Sequence, residues 1–225
     1  MTAPLADWQR AVAATILNPS PAQSDERPAM SDTAAGRAGW PVTIALYRQW
    51  RVFRLLSLAP LTIALLGPRS EPVIDGYFAA APGSTSYAAR DAVGFLRYLR
   101  ANYDLDPHQE QMSDLELAFL AARRPAAVDS EPAPGTLVRS RRASLLAVRF
   151  DVLSLIRWAA GTGPQPDPAA GVVLVAPALD GWVRPADVEE YQLWQQLVDP
   201  VAAEPIRRRF PVALADLQSA GAILH

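Results

Sequence analysis

The chain has 225 residues, half of them hydrophobic, enough to bury a core and to exclude disorder of the whole chain. It has no cysteine, which rules out a disulfide framework, a thiolate metal site and a thiol nucleophile, and fits a reducing compartment. All 21 basic residues are arginine, against 23 acidic ones, and the resulting net charge of −2 argues against a phosphate-seeking domain.

In chain order, "PLADWQRAVAATIL" sets Leu5, Trp8, Val12 and Ile16 on one face of a predicted helix. The start "MTAPLADWQR" lacks the basic flank, apolar run and cleavage site of a signal peptide, so a cytoplasmic protein is expected. Residues 18–39 are rich in Pro, Ser, Asp, Ala and Gly and read as a long loop.

From Pro41, placed as a first helical residue, apolar residues carry a helix to Ala59. Pro60 breaks it and starts the next, which runs to Gly67-Pro68. The apolar run from Leu55 to Leu66 is too short to cross a membrane. Two more helices follow, in "EPVIDGYFAAAPGS" and in "TSYAARDAVGFLRYLRANY", the second capped by Ser84, Thr85 or Ser86. "SDLELAFLAAR" is a further helix with Ser113 and Glu116 in the capping-box relation. Residues 1–124 thus read as an all-helical domain and 125–135 as a linker.

After residue 135 the pattern changes. "SLLAVRF" and "GVVLVAPAL" read as strands, with "GWVR" as a third, and "DVLSLIRWAA" as a short helix capped by Asp151. "PADVEEYQLWQQLVD", with Pro185 at its start, and the segments punctuated by Pro200, Pro205 and Pro211 are helical. Strands followed by three helices give residues 136–225 a winged-helix-like character, and the expected class is α+β.

Chemistry-bearing patterns are sparse. The two histidines, His108 in an expected loop and His225, sit in no motif and read as solvated groups. No P-loop, G-x-G-x-x-G or H-E-x-x-H occurs. No catalytic residue and no metal ligand is therefore expected. The group "RRRF" before the last helix would suit phosphate contacts of a DNA-binding regulator, the rival functional reading, but Asp199, Glu204 and Asp216 lie close by. Arg48, Arg51 and Arg54 share one broad helical face, expected to be solvated with acidic partners in the same domain or, with Trp50, to meet a partner protein.

The order of segments resembles a bacterial family named for a DNA-binding domain. The resemblance rests on Ala45, Leu46, Tyr47 and Arg48; on Pro60, Leu66 and Gly67; on Pro82 with Ser84 or Ser86; on Gly94, Phe95 and Leu99; and on Asp114 and Leu115. The long polar loop and the uncharged "VLVAPAL" depart from that pattern. Members are accessory subunits of multinuclear non-haem iron TIM-barrel enzymes that modify cysteines of ribosomally made peptides, as in the biosynthesis of methanobactin, 3-thiaglutamate and the bufferins. The resemblance implies a non-catalytic subunit with no cofactor of its own, iron in the partner enzyme of a heterodimer, and a C-terminal module that recognises the precursor peptide. Strand addition is the physical route to such recognition. With residues 179–183 as the edge strand, Leu179, Trp182, Val183, Leu214 and Leu217 would line the groove, and Arg207 and Arg208 would meet acidic leader residues.

Overall fold

A computed structural model describes residues 34–81, 88–129 and 131–225, with side chains from residue 42 onward. The expected first helix and the proposed serine and threonine caps at residues 84–86 lie outside them. The fold is α+β, with a helical N-terminal region followed by small sheets and helices. By contacts the chain forms two compact units: residues 1–60 with 67–102, and residues 61–66 with 103–225. These boundaries differ from those read at 124 and 136.

In the first unit, helix α1 (Ala34–Leu58) starts earlier than expected, so Pro41 lies within it and residues 34–39 are helical rather than loop. Helix α3 (Ser70–Ala80) and helix α4 (Ala88–Asn102) complete the unit. Their buried residues, Leu55, Val73, Ile74, Tyr77, Ala92, Phe95, Leu96 and Leu99, recur at helical spacing and form its core. At its centre Arg51 and Asp91, each only 2% exposed, form a two-pronged ion pair: Nη2 donates to Oδ1 at 3.0 Å and Nε to Oδ2 at 3.4 Å. The Tyr77 hydroxyl donates to Asp91 Oδ1 at 2.8 Å, and the Phe78 ring lies 4.1 Å beneath the guanidinium carbon. Burial, reinforced by the neighbouring carboxylate, pushes the Tyr77 phenol well above its ordinary range, so it remains a donor.

The second unit opens on helix α2 (Pro60–Leu66), where the proline supplies the first helical residue as its fixed φ favours. Leu61 and Thr62 present their backbone N–H groups to the Glu116 carboxylate, at 2.9 and 3.1 Å. Glu116 lies on helix α5 (Pro107–Ala122), which starts six residues before Ser113. The capping box is therefore Asp106 with Gln109, and Ser113 and Glu116 are buried inside the helix. Burial lifts the Glu116 carboxyl above its usual range, against the hydrogen bonds from Thr62 and Leu61 that lower it.

Beyond α5, strands β1 (Thr136–Arg139) and β2 (Ser144–Phe150) lead to helix α6 (Val152–Ala159), whose cap is Asp151: its carboxylate accepts from Ser154 N at 2.9 Å. Strand β3 (Pro168–Val175) pairs antiparallel with β2 and with β4 (Val183–Pro185), giving the order β2-β3-β4. Pro185 thus ends a strand rather than starting a helix. The Gln111 amide on α5 finishes the rim of β2, accepting from Arg149 N and Phe150 N and donating to Phe150 O. Apolar side chains of α5, α6, β2 and β3 enclose one core: Met112, Leu115, Val148, Leu155, Val173 and Val175.

Three helices then follow: α7 (Val188–Gln196), α8 (Ala203–Arg209) and α9 (Pro211–Ser219). Asp187 and Glu190 form a capping box at the start of α7, and Glu190 also pairs with Arg184. Two further strands, β5 (Val201–Ala202) and β6 (Ile223–Leu224), flank β1 in a second antiparallel sheet of order β5-β1-β6. Leu137 of β1 packs with Leu193, Leu197, Phe210, Leu214 and Leu217 beneath it.

Candidate functional site

Helix α9 ends in a Schellman arrangement: Ala222 N donates to Leu217 O at 2.8 Å and Gly221 N to Gln218 O at 2.9 Å. Gly221 has φ 69, a left-handed conformation that glycine adopts without a Cβ penalty. The reversal sends the chain straight into β6, which pairs with β1 through Val138 opposite Leu224 and Arg139 opposite Ile223. Among the described residues β1 is the only strand that pairs with β6. Beside β6 lies an open cleft of about 460 Å³, lined by Asp129, Glu131 and Pro132, by Gln218 and Gly221 at the end of α9, and by Ile223, Leu224 and His225.

Asp129 is itself anchored. Its carboxylate accepts from Ser140 Oγ at 2.8 Å and from Arg141 N at 2.7 Å, which ties it to the turn after β1. Glu131 is exposed and makes no ion pair or side-chain hydrogen bond among the described residues. Gln218 Nε2 lies 3.2 Å from His225 Nδ1 across the floor.

None of the residues expected to bind a peptide lines this cleft. Leu179 lies in the turn between β3 and β4, partly buried against the C-terminal core. Val183 does begin an edge strand, β4, although that strand covers only three residues. Leu214 and Leu217, 3% and 0% exposed, are core residues on the inner face of α9, so they are closed to any ligand. Arg207 and Arg208 are exposed on α8, with Arg208 paired to Glu204 at 2.9 Å. Of the 212–221 segment only Gln218 and Gly221 reach the cleft. Sequence reasoning missed β6 itself, because two residues carry no strand period.

Trp182 is half-buried beside β4 and has φ 71, a costly conformation for a bulky side chain, with the Arg123 guanidinium carbon 5.3 Å from its ring centroid.

The arginine face of α1 also resolves differently. Arg48 is partly exposed and pairs with Asp75 at 2.8 Å and Glu71 at 3.4 Å, as a solvated face would. Arg51 and Arg54 are buried, so neither is available to a partner protein; the Arg54 guanidinium carbon lies 4.3 Å from the Trp50 ring. Beside the polar Thr43, Gln49 and Ser57, α1 exposes five large apolar residues: Val42, Leu46, Trp50, Phe53 and Leu56 are 45–67% accessible. Spaced by four, four, three and three, they make one stripe.

His108 is a helix residue and not a solvated loop one. Its ring stacks on Phe150 at 4.0 Å and meets Trp158 at 4.9 Å, and its side chain is 14% exposed. Among the described residues no group of three or more His, Cys, Asp or Glu is placed to hold a metal ion. No single helix among them is long and apolar enough to cross a membrane.

No protein-family model matches the chain, and no curated protein matches its sequence.

Proposed function

We propose that this protein is a non-catalytic, cytoplasmic accessory subunit that binds a ribosomally made precursor peptide and presents it to a partner iron-dependent oxidase, which modifies the peptide's cysteines. The segment order that resembles the accessory-subunit family supports the reading. The observation that carries it is β6, which pairs with no described strand but β1 and whose residues Ile223 and Leu224 line a cleft beside the end of α9. An extended peptide laid there gains backbone hydrogen bonds from the strand and side-chain selection from the cleft walls. The site thus moves from the 179–183 segment to β6.

Docking of the oxidase falls to the stripe on α1. Single exposed apolar residues are ordinary, but five in register on one helix mark a surface that meets another protein. Co-expression with a multinuclear iron TIM-barrel enzyme from the same genome, followed by size exclusion, tests the whole reading. The expected result is a stable heterodimer, lost in the Leu46→Glu/Phe53→Glu double variant while its far-ultraviolet circular dichroism stays unchanged. Clean separation of the two wild-type proteins would overturn the proposal.

DNA binding through the last helix gains nothing from the geometry. The exposed positions of α9 are Pro211, Val212, Ala215, Asp216 and Ser219, which include an acid and no arginine. A helix read against phosphates and base edges needs the opposite charge.

A further inference from the structure

The cleft beside β6 has a charge of its own, opposite to that expected of a site for an acidic leader. Its wall contributes two carboxylates, Asp129 and Glu131, while its remaining lining is apolar or uncharged apart from the His225 imidazole. The two acids play different parts. Both Asp129 oxygens are engaged by the 140–141 turn, so this residue builds the wall. Glu131, two residues on, is exposed and unpartnered among the described residues, with Pro132 beside it. The exposed arginines of the second unit's α8 do not line the cleft.

Building on the peptide-binding reading above, we infer that the cleft selects an extended peptide carrying a basic side chain, whose backbone adds to β6 and whose guanidinium or ammonium group meets Glu131. The apolar surfaces of Leu224 and Pro132 accept its aliphatic stem or a neighbouring apolar side chain. The charge is placed at the cleft's lip, where water remains close, so it acts mainly as a selector between peptides rather than as the source of affinity. An acidic residue at the same peptide position would face Glu131 directly and be rejected.

The test uses the full chain and three synthetic nonapeptides of alternating threonine and valine that differ only at the centre, which is arginine, glutamine or glutamate. Binding is followed by amide chemical shifts, with Ile223 and Leu224 as reporters of strand addition. The arginine peptide is expected to bind at least tenfold more tightly than the glutamate peptide. Glu131→Gln, which breaks no contact in the fold, should cut that preference to under threefold while leaving the glutamine peptide unaffected. Equal affinity of the three peptides, with β6 amides still shifting, would overturn charge selection and leave strand addition standing. Absence of any shift at Ile223 and Leu224 with all three would overturn strand addition at β6 and the charge selection with it.

Discussion

Replacing Asp91 with alanine is expected to destabilise the first unit by about 3–5 kcal/mol, because it strands the Arg51 guanidinium in a place water does not reach. Arg51 and Asp91 are each 2% exposed, so neither partner can recover its hydration when the other is removed. The Tyr77 hydroxyl loses its carboxylate acceptor in the same step and keeps only the Asp91 backbone carbonyl, 3.0 Å away. Urea denaturation followed by tryptophan fluorescence measures the effect. The double replacement Arg51→Met/Asp91→Leu is expected to recover most of the loss, since apolar residues of similar bulk remove both the charge and its desolvation cost. If Asp91→Ala shifted the midpoint no further than the double variant, the pair would not be buried in solution. A gentler probe lies next door. A Cβ on Gly94 would fall 2.6 Å from the Tyr77 hydroxyl oxygen, so Gly94→Ala should displace that hydroxyl from Asp91 and cost a smaller part of the same energy.

Glu116→Ala is the second large effect, expected to cost about 2–4 kcal/mol by leaving two inward N–H groups at the start of α2 without an acceptor. The same carboxyl governs a pH dependence with a definite sign. Burial raises its pKa in the folded chain above the ordinary 4.5, so the folded state holds a proton that the unfolded state has already released. Its contribution is therefore most favourable at or below pH 4.5 and declines as pH rises through the window from 4.5 to the raised folded value. Glu116→Gln, which never ionises, should flatten that decline in urea midpoints taken between pH 4 and 8. An unchanged slope in the variant would show that the decline has another source.

How much of this was legible in the chain depends on whether the deciding contact is local. Pro60 and the Asp151 cap act within a few residues, and both fall where the sequence puts them. The alternating and apolar runs of β2 and β3 were equally plain. Strand β1 was not, since its four residues hold one fully buried side chain, Leu137, and its partners at Val201 and Ile223 lie more than sixty residues away. The same distance effect hid β6, which exists only because β1 is there to pair with it. Arg51 shows the limit for charges. The three-residue spacing with Arg48 and Arg54 set the helical face correctly, but what turned Arg51 inward was Asp91, forty positions on. His108 failed for a similar reason, its aromatic neighbours Phe150 and Trp158 coming from later elements. Ser113 and Glu116 misled differently: their spacing fits a capping box, yet Pro107 and Asp106 start the helix first.

The helix α2 that Glu116 holds has a topological cost for anyone taking the protein apart. Residues 61–66 belong to the second unit although 1–60 and 67–102 on either side belong to the first, so the polypeptide passes between units at three peptide bonds. No single scission yields both units whole. A fragment beginning at Tyr103 leaves Glu116 facing the place of a missing helix, and one ending at Asn102 carries that helix without its clamp. Gene dissection, limited proteolysis and split-reporter designs that cut after residue 102 would therefore report on two damaged pieces, and a faithful second unit requires residues 60–66 to be grafted onto its start.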